Sequence, residues 1–162
     1  MVTPELLRDT FSQGLPYDAY VATGSPDQQR AWSAMHGRVG LTADQRTLLG
    51  TFVRAMPVLV SSGTWCGDCV QQCPMFDHIA KAAPGIIDLR FIDRDQHRGL
   101  TDQIKICGGL RVPTAVFMNE DFEFVSILGD RSLTRYRAIA ARSLGTANAP
   151  RCAAGGFYRA GA

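Results

Sequence analysis

The stretch that most constrains this chain runs from Val58 to Pro74, VLVSSGTWCGDCVQQCP. Five residues of strand character, too few for a helix, stop at Gly63, and three cysteines then follow within eight residues. The cysteines read as the start of a helix that runs to about Lys81, with Pro74 set inside it, where a proline ordinarily kinks or breaks the helix. Free amides and the helix dipole place positive potential on a first helical turn, which favours a thiolate there. Cys66 is therefore the candidate nucleophile. Cys69, one turn on, can close a small disulfide and expel a bound substrate. Gly67 lets the backbone turn tightly, and Trp65 can cover one side of the site. Two other readings stay open on spacing alone: a metal site built on the cysteine cluster, and simple core packing of buried thiols.

The rest of the chain narrows these readings. Its 162 residues fit one domain, and 46% apolar residues are enough to bury a core without disulfide or metal staples. The net charge of +2 is scattered, with no basic stripe of the kind that nucleic acid needs. The opening MVTPELLRDTFSQG has no apolar run, and no span approaches the ~20 apolar residues of a membrane helix. The expectation is a cytoplasmic protein with neither a nucleic-acid nor a membrane partner. In a reducing compartment clustered cysteines are redox-active or metal-binding more often than structural. There are five, Cys66, Cys69, Cys73, Cys107 and Cys152, so at least one thiol is free if the others pair.

Upstream, the chain reads as helical. Thr3-Pro4 and Ser25-Pro26 are N-cap signals followed by proline at the first helical position. Thr42 with Gln45 forms a capping box, leading into Leu48, Leu49, Phe52, Val53 and Met56 spaced as one helical face. Downstream, IIDLRFID (Ile86–Asp93) predicts a strand, RGLTDQIKIC a helix, and TAVFMN with FEFVSIL a hairpin around Asn119-Glu120-Asp121. Ser132 caps a last helix, LTRYRAIAARSL. From Val58 the order is β-α-β-α-β-β-α, with the first two strands parallel and the last two antiparallel. The expected organisation is a helical extension over 1–56, an α/β domain over 57–145 and a flexible, Gly/Ala-rich tail over 146–162.

Trp65-Cys66-Gly67-Asp68-Cys69 at a strand-to-helix junction resembles the active-site motif of the thioredoxin superfamily. Pro74 resembles that family's helix-kinking proline, Pro113-Thr114 its cis-proline element, and Gly129 its glycine after the last strand. Within the superfamily the chain is most similar to bacterial thioredoxin-like proteins with a WCGD motif and a helical N-terminal extension. The resemblance implies a thioredoxin fold, a central mixed β-sheet flanked by helices, and thiol–disulfide exchange through Cys66 and Cys69. Val112 and Pro113 would orient an extended substrate, with Trp65, Gly67 and Asp68 tuning the pair. Substrates would be disulfide-containing proteins or small thiols, and electrons would come from a separate reductase or a low-molecular-weight thiol. No cofactor is implied.

Two positions depart from the family. The buried acid expected six residues before the nucleophile is Val60, and the lysine commonly paired with it falls near Phe91. Asp68 stands where thioredoxins carry proline, and a carboxylate there opposes thiolate formation on Cys66. The expectation is a mildly depressed Cys66 pKa and a reducing pair. Two alternatives stand beside this one. One is a slow or inactive binding module that docks a partner on the N-terminal helices, and the other is a metal-binding cysteine cluster. Cys73 reads as core, Cys107 as a thiol that could approach the site, and Cys152 as a bystander. His36, His78 and His97 read as solvent-facing.

Overall fold

The computed structural model describes residues 2–144, so the tail expected over 146–162 lies outside the described residues. The chain divides into two units, residues 1–130 and 131–162. In the first, four helices lead in: α1 (Pro4–Gln13), α2 (Tyr17–Ala22), α3 (Pro26–His36) and α4 (Ala43–Leu49). The caps read from sequence are made. Thr3 Oγ1 accepts from the Leu6 amide, and Ser25–Gln28 and Thr42–Gln45 both close reciprocal capping boxes.

The helical face expected to continue to Met56 does not. α4 stops at Leu49, where the Gly50 amide caps the last turn, and the chain leaves the helix so that Met56 can pair with Ile87. Val53 is left 85% exposed.

Strands β1 (Met56–Ser62), β2 (Ile87–Asp93), β3 (Thr114–Met118) and β4 (Phe124–Gly129) form one sheet in the order β2-β1-β3-β4. β1 and β2 are parallel, joined through α5 (Gly67–Ala82), while β3 runs antiparallel to both β1 and β4. Alternation along the strands divides the core in two. Val58, Val60, Leu89, Phe91 and Ala115 meet α5 and the aromatic residues Tyr17, Tyr20 and Trp32. Leu59, Ile92, Val116 and Met118 meet Leu7 and Phe11 of α1 and Leu100. Leu100 belongs to α6 (Arg98–Thr101), which is a single turn where a longer helix was expected. The backbone beyond it turns left-handed at Cys107 and Gly108, and Ile106 and Gly109 exchange both amide bonds at 3.0 Å, so the helical ladder cannot continue. The second unit holds α7 (Leu133–Leu144), whose start is capped as expected, the Arg135 amide donating to Ser132 Oγ at 3.2 Å.

Among the described residues no helix is long and apolar enough to cross a membrane.

Candidate active site

The topology brings two distant segments together. Ser61, near the end of β1, pairs with Thr114 at the start of β3, so the antiparallel ladder delivers Val112 and Pro113 beside the loop that leaves β1. That loop is Gly63–Thr64–Trp65, and Cys66 follows as the N-cap of α5. The Cys66 amide donates to Gly63 O at 3.0 Å, and Cys66 Sγ lies 3.7 Å from Val112 O, to which it donates. The Val112–Pro113 bond is cis.

Cys69, one turn further, is wholly buried, and its sulfur touches both Cys66 and Cys73. All four cysteines among the described residues are free thiols. The two thiols of the pair share a hydrogen bond, and it dominates the acidity of Cys66. Cys66 is pushed up from the usual thiol range, first by its contact with Cys69 and then by burial, while the amides of Cys69 and Asp68 pull it down. Cys69 is pushed up first by burial, with Cys66 and Ser62 opposing and Cys73 reinforcing. The depressed Cys66 pKa expected from the helix dipole is therefore not met in the dithiol. Two amides do not outweigh a shared proton in a site half closed to water.

Around the pair, the residues singled out by sequence take distinct places. Trp65 is 53% exposed beside the nucleophile, with the Arg94 guanidinium 4.9 Å above its ring. Arg94 also donates to Leu110 O at 3.2 Å, tying the end of β2 to the segment that carries Val112. A β-carbon on Gly67 would meet nothing, and its backbone is not left-handed, so the tight turn expected to need glycine there is not seen. A β-carbon on Gly63 would lie 2.7 Å from the Trp65 indole, so this glycine lets the ring lie back against the loop. Asp68 is half-buried in the first turn of α5. Pro74 lies inside α5 and Cys73 is fully buried core. Cys107 sits on an exposed turn. Cys152 lies outside the described residues.

The helical extension supplies part of the site, and residue-by-residue reading did not find it. Trp32 Nε1 donates to Thr64 O at 3.0 Å, and Thr64 Oγ1 donates to Gln28 Oε1 at 3.0 Å, so α3 holds the loop just before Trp65. The only hint in the sequence was an isolated tryptophan on a short apolar face. Ser62 was likewise passed over. It follows Val58 and Val60 on the face of β1 that looks at α5, and is fully buried with its Oγ 3.7 Å from Cys73 Sγ.

The histidines are not solvent-facing as expected. His36 Nε2 contacts Asp77 Oδ2 at 2.7 Å, its ring stacks on His78 at 4.2 Å, and Lys81 Nζ reaches the same carboxylate oxygen at 2.7 Å. This group clasps α3 to α5. His97 Nδ1 lies 3.0 Å from Asp93 O. Among the described residues no group of three or more His, Cys, Asp or Glu side chains is arranged to hold a metal ion.

A family profile described as thioredoxin matches residues 14–141. No curated protein sequence matches the chain. A Pseudomonas aeruginosa protein of unknown function superposes with a TM-score of 0.72 at 22% identity, covering 90% of this chain and 90% of that one. An HIV epitope-scaffold gives the same score at 21% identity, covering 85% and 87%. Fasciola hepatica thioredoxin is 24% identical over 62% of this chain and 91% of its own, with a TM-score of 0.42. The profile spans most of the chain, from the bridge at Leu15 to the last helix, and takes in the strand-to-helix junction with both cysteines. On that match, and with this mixed sheet and its flanking helices, the chain belongs to the thioredoxin family and has a thioredoxin fold.

Proposed function

We propose that the protein is a thiol–disulfide oxidoreductase that reduces disulfides through the Cys66–Cys69 dithiol. The observation that carries the reading is the placement of Cys66. It caps a helix, touches Cys69 one turn on, and faces the Val112 carbonyl at 3.7 Å. Cys66, once deprotonated, attacks one sulfur of a substrate disulfide. A mixed disulfide forms and the other substrate sulfur leaves with the electron pair. Cys69 then attacks Cys66 Sγ, releases the second substrate thiol, and leaves a Cys66–Cys69 disulfide. The backbone of Val112, next to Pro113, offers an extended substrate a strand to pair with, and Trp65, Gly67 and Asp68 line the approach. The substrate is a protein disulfide or a small-molecule disulfide. A separate reductase or a low-molecular-weight thiol restores the dithiol, as in a reducing compartment such as the cytoplasm. The WCGD motif and the helices before it fit the narrower group of bacterial thioredoxin-like proteins with such an extension.

One observation favours a second reading, a fold kept for binding with slow exchange: both thiols are pushed upward, and Val60 occupies the place of the family's acid. A redox titration in thiol/disulfide buffers, with mass-spectrometric mapping of the paired cysteines, separates the two. The expected result is a reversible Cys66–Cys69 bond with a potential in the roughly −180 to −280 mV range of oxidoreductases. A folded protein with no reversible pair would sink the enzyme reading and favour the binding module.

A further inference from the structure

Resolution of a mixed disulfide requires Cys69 to become an anion while fully buried. The polar groups acting most strongly on its charge are the Cys66 and Cys73 thiols and the Ser62 hydroxyl of β1. Val60, one step back on the same strand face, brings no carboxylate. Besides the two sulfurs, the strongest of these groups is a hydroxyl. Ser62 has no exposed surface, and its Oγ, 3.7 Å from Cys73 Sγ, lies within reach of Cys69 as well.

A second observation points to the same place. Tyr20, on α2, is 2% exposed, and its phenol oxygen is buried without a hydrogen-bond partner. A buried hydroxyl left unsatisfied is costly and uncommon in a folded protein. Ser62, Cys69 and Cys73 lie near enough to act on its charge, and Asp93 acts from the end of β2. The ring itself is fixed by Phe91, stacked at 5.4 Å, and by Trp32 at 5.8 Å.

We propose that Ser62 donates a hydrogen bond to the Cys69 sulfur as it becomes a thiolate, and that Tyr20 is a positioning residue that donates to Ser62 Oγ and so turns the serine proton toward Cys69. Donation to an ion is stronger than donation between neutral groups, and a chain of two hydroxyls polarises along its length. The pair thus stabilises a buried anion without burying a second charge. The inference rests on the dithiol reading above. Atoms balance without a further reactant. The Cys69 proton passes to the departing substrate thiolate, directly or through solvent. The Cys66–substrate bond breaks as the Cys66–Cys69 bond forms, the dithiol is oxidised and the substrate disulfide reduced.

The test uses an aromatic disulfide, 5,5′-dithiobis(2-nitrobenzoate), in single turnover on full-length protein carrying Cys107→Ser and Cys152→Ser. The first thionitrobenzoate released reports attack by Cys66, and the second reports attack by Cys69. Ser62→Ala should slow the second release by about tenfold, the weight of one charge-assisted hydrogen bond, and move its pH profile upward. The first release should stay within about twofold of the parent, since that step makes no Cys69 anion. Ser62→Thr, which keeps a hydroxyl, should restore most of the rate, and Tyr20→Phe should act in the same direction with a smaller effect. The proposal is overturned if Ser62→Ala and Tyr20→Phe leave the second release and its pH profile unchanged, or if both releases slow equally and threonine restores nothing. If the parent shows no second release, or Cys69→Ser leaves it intact, the dithiol reading fails and takes the proposal with it.

Discussion

Cys66 and Cys69 hold their protons more tightly than ordinary thiols, one through contact with the other and the second through burial. The consequence for stability has a definite sign. In the unfolded chain the thiols ionise near their ordinary value of 9.0, whereas in the folded dithiol they ionise higher. Below about pH 9 both states are protonated and the stabilisation is fully present. Above it the unfolded chain has already released protons that the folded one keeps, so the reduced protein loses stability as pH rises toward the folded values. The oxidised protein has no protons at these two sulfurs and escapes this loss. Urea denaturation at steps from pH 7 upward should show the reduced form weakening beyond about pH 9 and the oxidised form changing less. Parallel curves for the two forms would mean that the thiols are not perturbed as the site geometry indicates.

Among the elements, α3 and α5 show how the extension is fastened. His36 from α3 and Lys81 from α5 converge on Asp77, which is 5% exposed, and His78 stacks on His36 while its Nε2 lies 3.1 Å from His36 O. Tyr17 lies against the same imidazole at 5.3 Å. Asp77→Ala removes the shared acceptor and leaves two donors to find water, so it should cost about 2 kcal/mol, the upper range for hydrogen bonds to a charged group. A urea midpoint lowered with unchanged slope would show this, whereas an unchanged midpoint would mean the clasp adds nothing. This clasp also marks where sequence reading stopped. Caps at Thr3, Ser25, Thr42 and Ser132 are local, because cap and partner lie within three residues, and they were legible. The succession of strands and helices from Val58 and the cysteine junction were legible too, because each is a short run with its own local signals. The end of α4 was not, because the apolar spacing from Leu48 to Met56 suits a helix while strand pairing with Ile87 claims Met56. Contacts such as His36–Asp77 and Trp32–Thr64 join residues some thirty to forty positions apart, and no periodicity encodes them.

In the unit spanning residues 1–130, the first helices and the sheet share their cores. Leu15 and Phe91 exchange both amide bonds, at 2.9 and 2.8 Å, so the segment between α1 and α2 pairs with the outer edge of β2. Pairing there also covers an edge that would otherwise present open backbone groups. Leu7 and Phe11 belong to one core cluster, and Tyr17, Tyr20 and Trp32 to the other, against strand residues in both cases. Each such side chain contributes about 1.5–3 kcal/mol on burial. Five of them are together worth about as much as the whole 5–15 kcal/mol stability of an ordinary domain. A chain beginning at Met56 keeps every strand and both site cysteines, yet it loses the partners of Phe91 and Val60 and the support of Thr64. It should therefore fail to fold cooperatively, giving a weak far-UV signal and no sharp thermal transition where the full chain gives one. A truncated chain that melts sharply would instead make the extension an added module, and the Trp32–Thr64 contact would then be dispensable to the site it adjoins.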